Sequence, residues 1–171
     1  MKLISMFLFT SSIIFAGVFD FNTISSDFKQ TITNEENSKI IYKGSLYATT
    51  QEKALWIYKS PVEKKIFFNK SRVIIVEPEL EQAIITNLKN VPNLTELLKK
   101  SIRKENKTYE TAFNGTNYII YTKNNQITKI EYKDKLGNSV EIELLNQTIN
   151  SVLDDSLFIA DIPFDFDIIS Q

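Results

Sequence analysis

Pairs of acidic side chains are the residues of this chain whose spacing could support catalysis. They are Glu35 with Glu36, Glu141 with Glu143, Asp154 with Asp155, and Asp165 with Asp167. Two carboxylates are sufficient for glycoside hydrolysis, in which one acts as an acid and the other as a base or nucleophile. Nothing in the sequence surrounds these pairs with an aromatic groove on which a sugar would stack. Solvated turns and strand edges explain them better, so a hydrolase is the least favoured of three functional hypotheses.

Other catalytic, metal and nucleic-acid chemistry has little support in the composition. The chain contains no His and no Cys, which removes the commonest general base and the main ligands of zinc, iron and copper. Its four Gly residues are not grouped into a phosphate-binding loop. A net charge of −1 gives no argument for a nucleic-acid partner. We therefore expect no enzyme, no metal or other cofactor, and no nucleic-acid partner.

Short strand-like runs in the middle of the chain are apolar at both alternating positions. These runs are residues 54–58, 66–68 and 73–76. A strand with one wet face alternates apolar and polar residues, so a continuous apolar run means that both faces leave water. A chain of 171 residues with little helix must cover the second face with a small lid, an apolar guest, or both. The pattern favours a carrier of apolar ligands over an enzyme.

The remaining pattern predicts a mainly β domain with a few α-helices. Many short strands at near-regular spacing are typical of an antiparallel barrel or a strongly curved sheet. Turn sequences separate the later strands at Asn114-Gly115, Asn124-Asn125 and residues 136–138. Apolar residues at helical spacing predict a short helix over residues 20–27 and a second one over residues 93–103.

The first residues have the pattern of a secretory signal peptide. Lys2 precedes an apolar run over residues 3–15, which is followed by Ala16 and Gly17. The run is shorter than the roughly 20 residues that span a bilayer, so we expect no integral membrane segment. We place the signal peptide at residues 1–16, with cleavage after Gly17 as the next choice, and one domain over residues 17–171. Since no Cys is present for disulfides or lipid attachment, a free periplasmic protein is expected.

Four stretches in order along the chain resemble the periplasmic outer-membrane lipoprotein carrier family, LolA. Residues 28–31 are similar to its F-x-Q-x motif, and Gly44, Leu46, Trp56 and Pro61 resemble its series of G-x-L, W and P. Residues 73–82 look like its strand and turn that end in P-x-l-x-Q. Residues 153–167 resemble its closing motif, which contains D, F, P and D. The resemblance extends over nearly the whole mature chain.

The resemblance implies a half-open antiparallel barrel with helices covering its concave face. It also implies that acyl chains of lipoproteins are received from an inner-membrane lipoprotein-releasing ABC transporter and passed to a possible acceptor at the outer membrane. The residues that would bind lipid, by parity with the family's cavity face, are Leu46, Ala48, Ala54, Trp56, Tyr58, Ile74 and Val76. The lid would be formed by Leu94, Leu97, Leu98 and Thr50.

Departures from the family pattern leave alternatives open. Thr50 stands where the family has the arginine that hydrogen-bonds its helical lid, and Ala54 stands where it has phenylalanine. Asn69-Lys70 replaces an Asp-Gly turn. The lining side chains could be ordinary core, and the helix after Pro92 could be plain packing instead of a movable lid. A related half-barrel that binds lipid or senses the envelope without a shuttle role is the second functional hypothesis.

Overall fold

The computed structural model describes residues 21–69, 72–87 and 94–170. The predicted signal peptide over residues 1–16 lies outside this range, as do Lys70 of the predicted turn and Asn93 at the start of the second predicted helix. The described residues form a mainly β structure with one α-helix, α1 (Leu94–Lys100), and three short 3₁₀ turns at Pro78–Leu80, Glu105–Lys107 and Asp155–Phe158.

Twelve strands in the described ranges form one sheet. They are β1 (Thr23–Thr33), β2 (Lys39–Thr49), β3 (Lys53–Ser60), β4 (Lys64–Asn69), β5 (Arg72–Glu77), β6 (Gln82–Asn87), β7 (Ile102–Arg103), β8 (Thr108–Phe113), β9 (Thr116–Lys123), β10 (Gln126–Lys133), β11 (Ser139–Ile149) and β12 (Asp167–Ser170). Their order is β12-β6-β5-β4-β3-β2-β1-β11-β10-β9-β8-β7. Neighbours are antiparallel except β12, which runs parallel to β6. The sheet is open, because β12 and β7 end it without pairing to each other.

The position of α1 shows that this sheet is strongly curved. The helix contacts both β2 and β8, which are separated by five strand spacings in the sheet order. On a flat sheet these strands would lie about 24 Å apart at 4.8 Å per spacing. A helix is only about 10–12 Å in diameter. The sheet must therefore curl around α1 for both contacts to form.

The expected set of helices is not confirmed. The predicted helix over residues 20–27 is wrong, since β1 begins at Thr23 and pairs with β2 and β11 on its two sides. Ile24 and Phe28 are four residues apart, a spacing that shares a face in a strand as well as in a helix. Two ladders satisfy the backbone of this central strand, and this outweighs the local helical pattern. Coverage of the concave face by several helices is likewise not confirmed, because one short α-helix is present in the described ranges.

The two faces of the sheet carry separate apolar clusters. One cluster, on what we call the Trp56 face, includes Phe28, Trp56 and Ile120 and packs against α1. The other, on the Phe67 face, joins Leu55 and Phe67 to Phe158 of the C-terminal segment. Residues 153–166 thus cover part of the second face with their own side chains. This accounts for the apolar residues at both parities of β3, β4 and β5.

Candidate functional site

Strand register gathers five of the seven predicted lipid-binding residues into one patch of the Trp56 face. Leu46 of β2 lies opposite Trp56 of β3, and Ala48 lies opposite Ala54. Directly opposite residues of an antiparallel pair point to the same side of the sheet. Tyr58 follows on the same parity, and the five side chains are between 0% and 9% exposed. The patch is therefore packed against the protein's own atoms.

The predicted parity of Ile74 and Val76 is wrong. Trp56 lies opposite Ile66 of β4, and Ile66 lies opposite Ile75 of β5. Ile75 therefore shares the Trp56 face, whereas Ile74 and Val76 pack in the cluster of the Phe67 face. The sequence did not distinguish the two faces, because residues 73–76 are apolar at every position.

A cluster of edge-to-face aromatic rings forms the floor of the patch. The ring centroid of Phe28 lies 5.0 Å from that of Trp56 and 4.9 Å from that of Tyr58. Gly44 lies beneath these rings: a Cβ atom there would be 1.9 Å from the carbonyl oxygen of Ile57 and 2.8 Å from Phe28 Cε1. Only Gly leaves this space free. The packing explains why Phe28 and Gly44 occur together in the sequence pattern.

Tyr58 adds one polar group to this apolar patch. Its hydroxyl donates a buried hydrogen bond of 2.9 Å to Oε1 of Gln30. Burial raises the pKa of Tyr58, and the nearby Tyr132 and Tyr42 raise it further. The phenol therefore stays protonated. Lys64 Nζ lies 4.6 Å from the centre of the Tyr58 ring, in the geometry of a cation–π contact.

The predicted lid leucines lie over the Trp56 face. Leu94, Leu97 and Leu98 of α1 are 4%, 6% and 4% exposed and belong to the same cluster as Trp56. Their spacing of three and four residues places all three on one side of the helix. The apolar side of α1 thus occupies the space next to the patch.

Two polar side chains of α1 fasten the helix to the turn between β2 and β3. Thr95 Oγ1 donates a hydrogen bond of 3.0 Å to the carbonyl oxygen of Thr49. Lys99 Nζ donates one of 3.1 Å to the carbonyl oxygen of Thr50 and lies 3.7 Å from Glu52. Thr50, predicted as a lid residue, thus meets the helix through its backbone. The positive charge at this contact lies on the helix and not on the turn.

Several residues of the Trp56 face were missed by sequence reasoning. Gln30 and Tyr42 lie on the neighbouring strands, and Tyr118, Ile120 and Tyr132 come from β9 and β10. The alternation within β9 and β10 was the available signal. Their approach to the predicted residues depends on the curl of the sheet, which no local pattern encodes.

A second concavity adjoins the Trp56 face at Tyr132. It has a volume of about 820 Å³, and its lining includes Thr31, Glu131, Lys133, Asp134 and Glu141. Lys129 forms ion pairs with Glu131 and Glu141 there. This charged, open groove does not suit acyl chains, so we do not assign the lipid site to it.

Neither a metal site nor a membrane helix was found in the part of the chain that the structure describes. Over residues 21–69, 72–87 and 94–170 no group of three acidic side chains is arranged to hold a metal ion. The described helices are also too short to span a bilayer.

A family model and curated relatives match this chain in sequence. The family model described as "Outer membrane lipoprotein carrier protein LolA" matches residues 20–117. A protein of Campylobacter jejuni named "Outer-membrane lipoprotein carrier protein" is 38% identical over 91% of this chain and 91% of its own length. A protein of Wolinella succinogenes with the same name is 36% identical over 85% of this chain and 86% of its own.

Solved structures show the same fold at low sequence identity. A LolA superfamily protein from Nitrosomonas europaea superposes with a TM-score of 0.52 at 9% identity, covering 83% of this chain and 92% of its own. An uncharacterized conserved protein from Thermus thermophilus superposes with a TM-score of 0.54 at 8% identity, covering 88% and 91%. From the family match and the curated relatives, the chain belongs to the outer-membrane lipoprotein carrier protein (LolA) family.

Proposed function

We propose that this protein is a periplasmic carrier that binds the acyl chains of lipoproteins on its Trp56 face and delivers them to the outer membrane. Family membership and relatives named as lipoprotein carriers support this role. Burying each methylene contributes about 0.8 kcal/mol. Two or three acyl chains in water therefore represent on the order of tens of kcal/mol, which makes an unassisted crossing of the periplasm unfavourable.

The observation that carries the proposal is a wide apolar face closed by one short helix. Leu46, Ala48, Ala54, Trp56 and Tyr58 form one wall of the binding site, and the three leucines of α1 lie on it in the closed state. Displacement of α1 exposes this wall, and acyl chains then take the place of Leu94, Leu97 and Leu98. Ile74 and Val76 have no part in the site, because the C-terminal segment covers them on the other face.

Closure of the lid rests on contacts that are weak enough to reverse. The pair of Lys99 and Glu52 is about half exposed on both sides, and such pairs contribute about 0–1 kcal/mol. Thr95 adds one hydrogen bond from a buried side chain. A carrier must release its cargo, so a lid held by a few polar contacts and leucine packing fits that requirement better than a rigid core.

In this role the protein works in the periplasm and has a partner at each membrane. Residues 1–16 act as the signal peptide, and residues 17–171 form the single periplasmic domain. An inner-membrane lipoprotein-releasing ABC transporter loads the carrier, and an acceptor at the outer membrane receives the cargo. The protein has no catalytic step in this scheme.

Native mass spectrometry after co-expression with a lipoprotein tests the proposal. We expect a one-to-one complex that is lost when the acylated Cys of the lipoprotein is replaced. Depletion of the protein should also leave lipoproteins in the inner membrane. A complex that forms regardless of acylation would refute binding through acyl chains. A complex without any effect of depletion would favour a lipid-binding protein with no shuttle role.

A further inference from the structure

A band of tyrosine hydroxyls crosses the Trp56 face. Tyr58 and Tyr42 lie on the β2 side of the central strand β1, with ring centroids 5.7 Å apart. Tyr118 and Tyr132 lie on the β11 side of β1, with ring centroids 4.8 Å apart. Gln30 lies between them on the central strand β1, since it is opposite Tyr42 of β2 and Ile142 of β11. The band is a row of polar groups on a largely apolar face.

Three of these hydroxyls, those of Tyr42, Tyr118 and Tyr132, make no hydrogen bond to a residue that the structure describes. Tyr118 is only 5% exposed, yet neither its hydroxyl nor that of Tyr132 makes a hydrogen bond to any residue that the structure describes. Neither hydroxyl is fully buried, since the fully buried side-chain atom without a partner in the described residues is Oε1 of Gln147. Both hydroxyls are therefore accessible to a ligand. Burial also raises the pKa of Tyr118. Burial, together with the nearby Tyr118 and Asp134, raises the pKa of Tyr132 to about 12. Both phenols are therefore protonated donors that lack an acceptor.

The band lies at the end of the face away from the contacts of the lid. The helix α1 is attached at Thr49, whose carbonyl oxygen accepts the hydrogen bond from Thr95. Ala48 is next to Thr49 on β2, and Tyr42 is six residues from Ala48 along the same strand. Six residues of strand span about 20 Å, and one leaflet of bilayer hydrocarbon is about 15 Å thick. Beyond the band, Ile40 is 51% exposed, so this end of the face opens to solvent. An acyl chain whose polar end lies at the band has room to extend toward α1.

We propose that the hydroxyls of Tyr118 and Tyr132 donate hydrogen bonds to the ester carbonyls of a diacylglyceryl group, with the Tyr58–Gln30 pair beside them. The ligand's chains then lie along Trp56, Leu46 and Ala48, and its polar end stays at the open side. This inference rests on the proposed carrier function. Glyceryl esters occur both in acylated protein N-termini and in phospholipids, so the proposal concerns the ester chemistry that the two share.

An ester-to-ether comparison tests this assignment. The purified protein is titrated with a synthetic S-diacylglyceryl-cysteine peptide and with its dialkyl ether analogue, which lacks both carbonyl acceptors. Each hydrogen bond contributes about 1 kcal/mol net, so two of them should make the wild type prefer the ester by roughly thirtyfold. The double variant Tyr118→Phe with Tyr132→Phe should lose this preference and bind the ether analogue as the wild type does.

Tyr121→Phe is the matched control. Its hydroxyl donates to Glu131 Oε2 on the other face, at 2.7 Å, so it should keep the ester preference. The double variant removes two hydroxyls without a partner in the described residues, and its circular dichroism spectrum and Tm report whether the fold is kept. Equal affinity of the wild type for ester and ether, or a preserved preference in the double variant, would overturn the assignment while leaving the carrier role intact.

Phosphatidylglycerol and its diether form provide the second arm. If the wild type binds this phospholipid ester with the same preference but does not bind the lipopeptide, the tyrosine band is confirmed and the carrier role fails. In the other outcome, the wild type prefers the ester over the ether for both the lipopeptide and the phospholipid, and the double variant loses this preference for both. In that case the band recognises glyceryl esters from either source.

Discussion

Lys99 of α1 donates a hydrogen bond from Nζ to the backbone carbonyl oxygen of Thr50, over 3.1 Å. Thr50 is the position at which the family pattern has an arginine that reaches its lid. In this protein the cation lies on the helix, and the turn between β2 and β3 supplies the acceptor. A threonine side chain at position 50 is therefore compatible with a fastened α1, because the contact uses the main chain.

Loss of the Lys99 contact should loosen α1 slightly. In Lys99→Met we expect amide hydrogen exchange over residues 94–100 to rise about twofold, because exposed ion pairs contribute little. Lys100→Met is the control, since Lys100 pairs with Glu96 within the helix and does not reach the turn. Equal exchange in both variants would show that the contact with Thr50 does not hold the lid.

Thr95→Val should have a larger effect on the same helix. Thr95 is 3% exposed, and its removal leaves the carbonyl oxygen of Thr49 without this donor. Such a loss costs about 1–3 kcal/mol, so we expect exchange over residues 94–100 to rise roughly tenfold or more. Faster uptake of a fluorescent lipopeptide should accompany it. Faster exchange with unchanged uptake would mean that opening of α1 does not limit loading.

Substitutions on the two faces of the sheet should separate binding from stability. Trp56→Ala and Ile74→Ala both remove apolar side chains that pack in a cluster and should destabilise the protein by about 2–5 kcal/mol. We expect only Trp56→Ala to lose lipopeptide affinity, measured at a temperature where both variants are folded. Loss of affinity in Ile74→Ala would return the Phe67 face to consideration as a lipid site.

Gly44→Ala should be strongly destabilising. The added Cβ would lie 1.9 Å from the carbonyl oxygen of Ile57, which belongs to a paired strand and has little freedom to move. We expect a loss of about 1–3 kcal/mol or more in the free energy of unfolding, measured by chemical denaturation. A variant as stable as the wild type would contradict the close packing of Phe28 over β2.

Alkaline pH should reduce stability through the buried phenols. The pKa of Tyr132 is raised to about 12 in the folded state, against about 10 when unfolded. The folded state therefore holds the Tyr132 proton more tightly than the unfolded state does. The contribution of Tyr132 to the free energy of unfolding is complete below pH 10 and decreases as the pH rises toward 12. Denaturation at pH 9 to 11.5 should show a smaller decrease in Tyr132→Phe than in the wild type. Identical slopes would show that Tyr132 is not buried as described.

Local sequence pattern was sufficient for the apolar runs of the central strands and for the hairpin turns, but not for the start of β1 or for the site as a whole. Asn114-Gly115 and Asn124-Asn125 were predicted turns, and all four residues have positive φ, from 47° to 82°, as tight hairpin turns require. The face of Ile74 was not predictable, because its neighbours are apolar on both sides.

Long-range geometry accounts for the remaining differences. The strand at residues 23–27 forms because β2 and β11 pair with it from both sides. The strands β2 and β11 lie far from each other in the sequence. Tyr132 lies near enough to Tyr58 to raise its pKa, and this likewise requires the sheet to curl across four strand spacings.

Trp56 is the only Trp in the chain, so its fluorescence reports directly on the patch at the centre of this account. The decisive measurement is a titration with lipopeptides whose acyl chains carry bromine at a chosen carbon, a contact-range quencher. We predict strong quenching when the bromine lies midway along the chain, and no quenching by a brominated peptide without acyl chains. Saturable binding of the lipopeptide with unquenched Trp56 fluorescence would contradict acyl-chain binding on the Trp56 face.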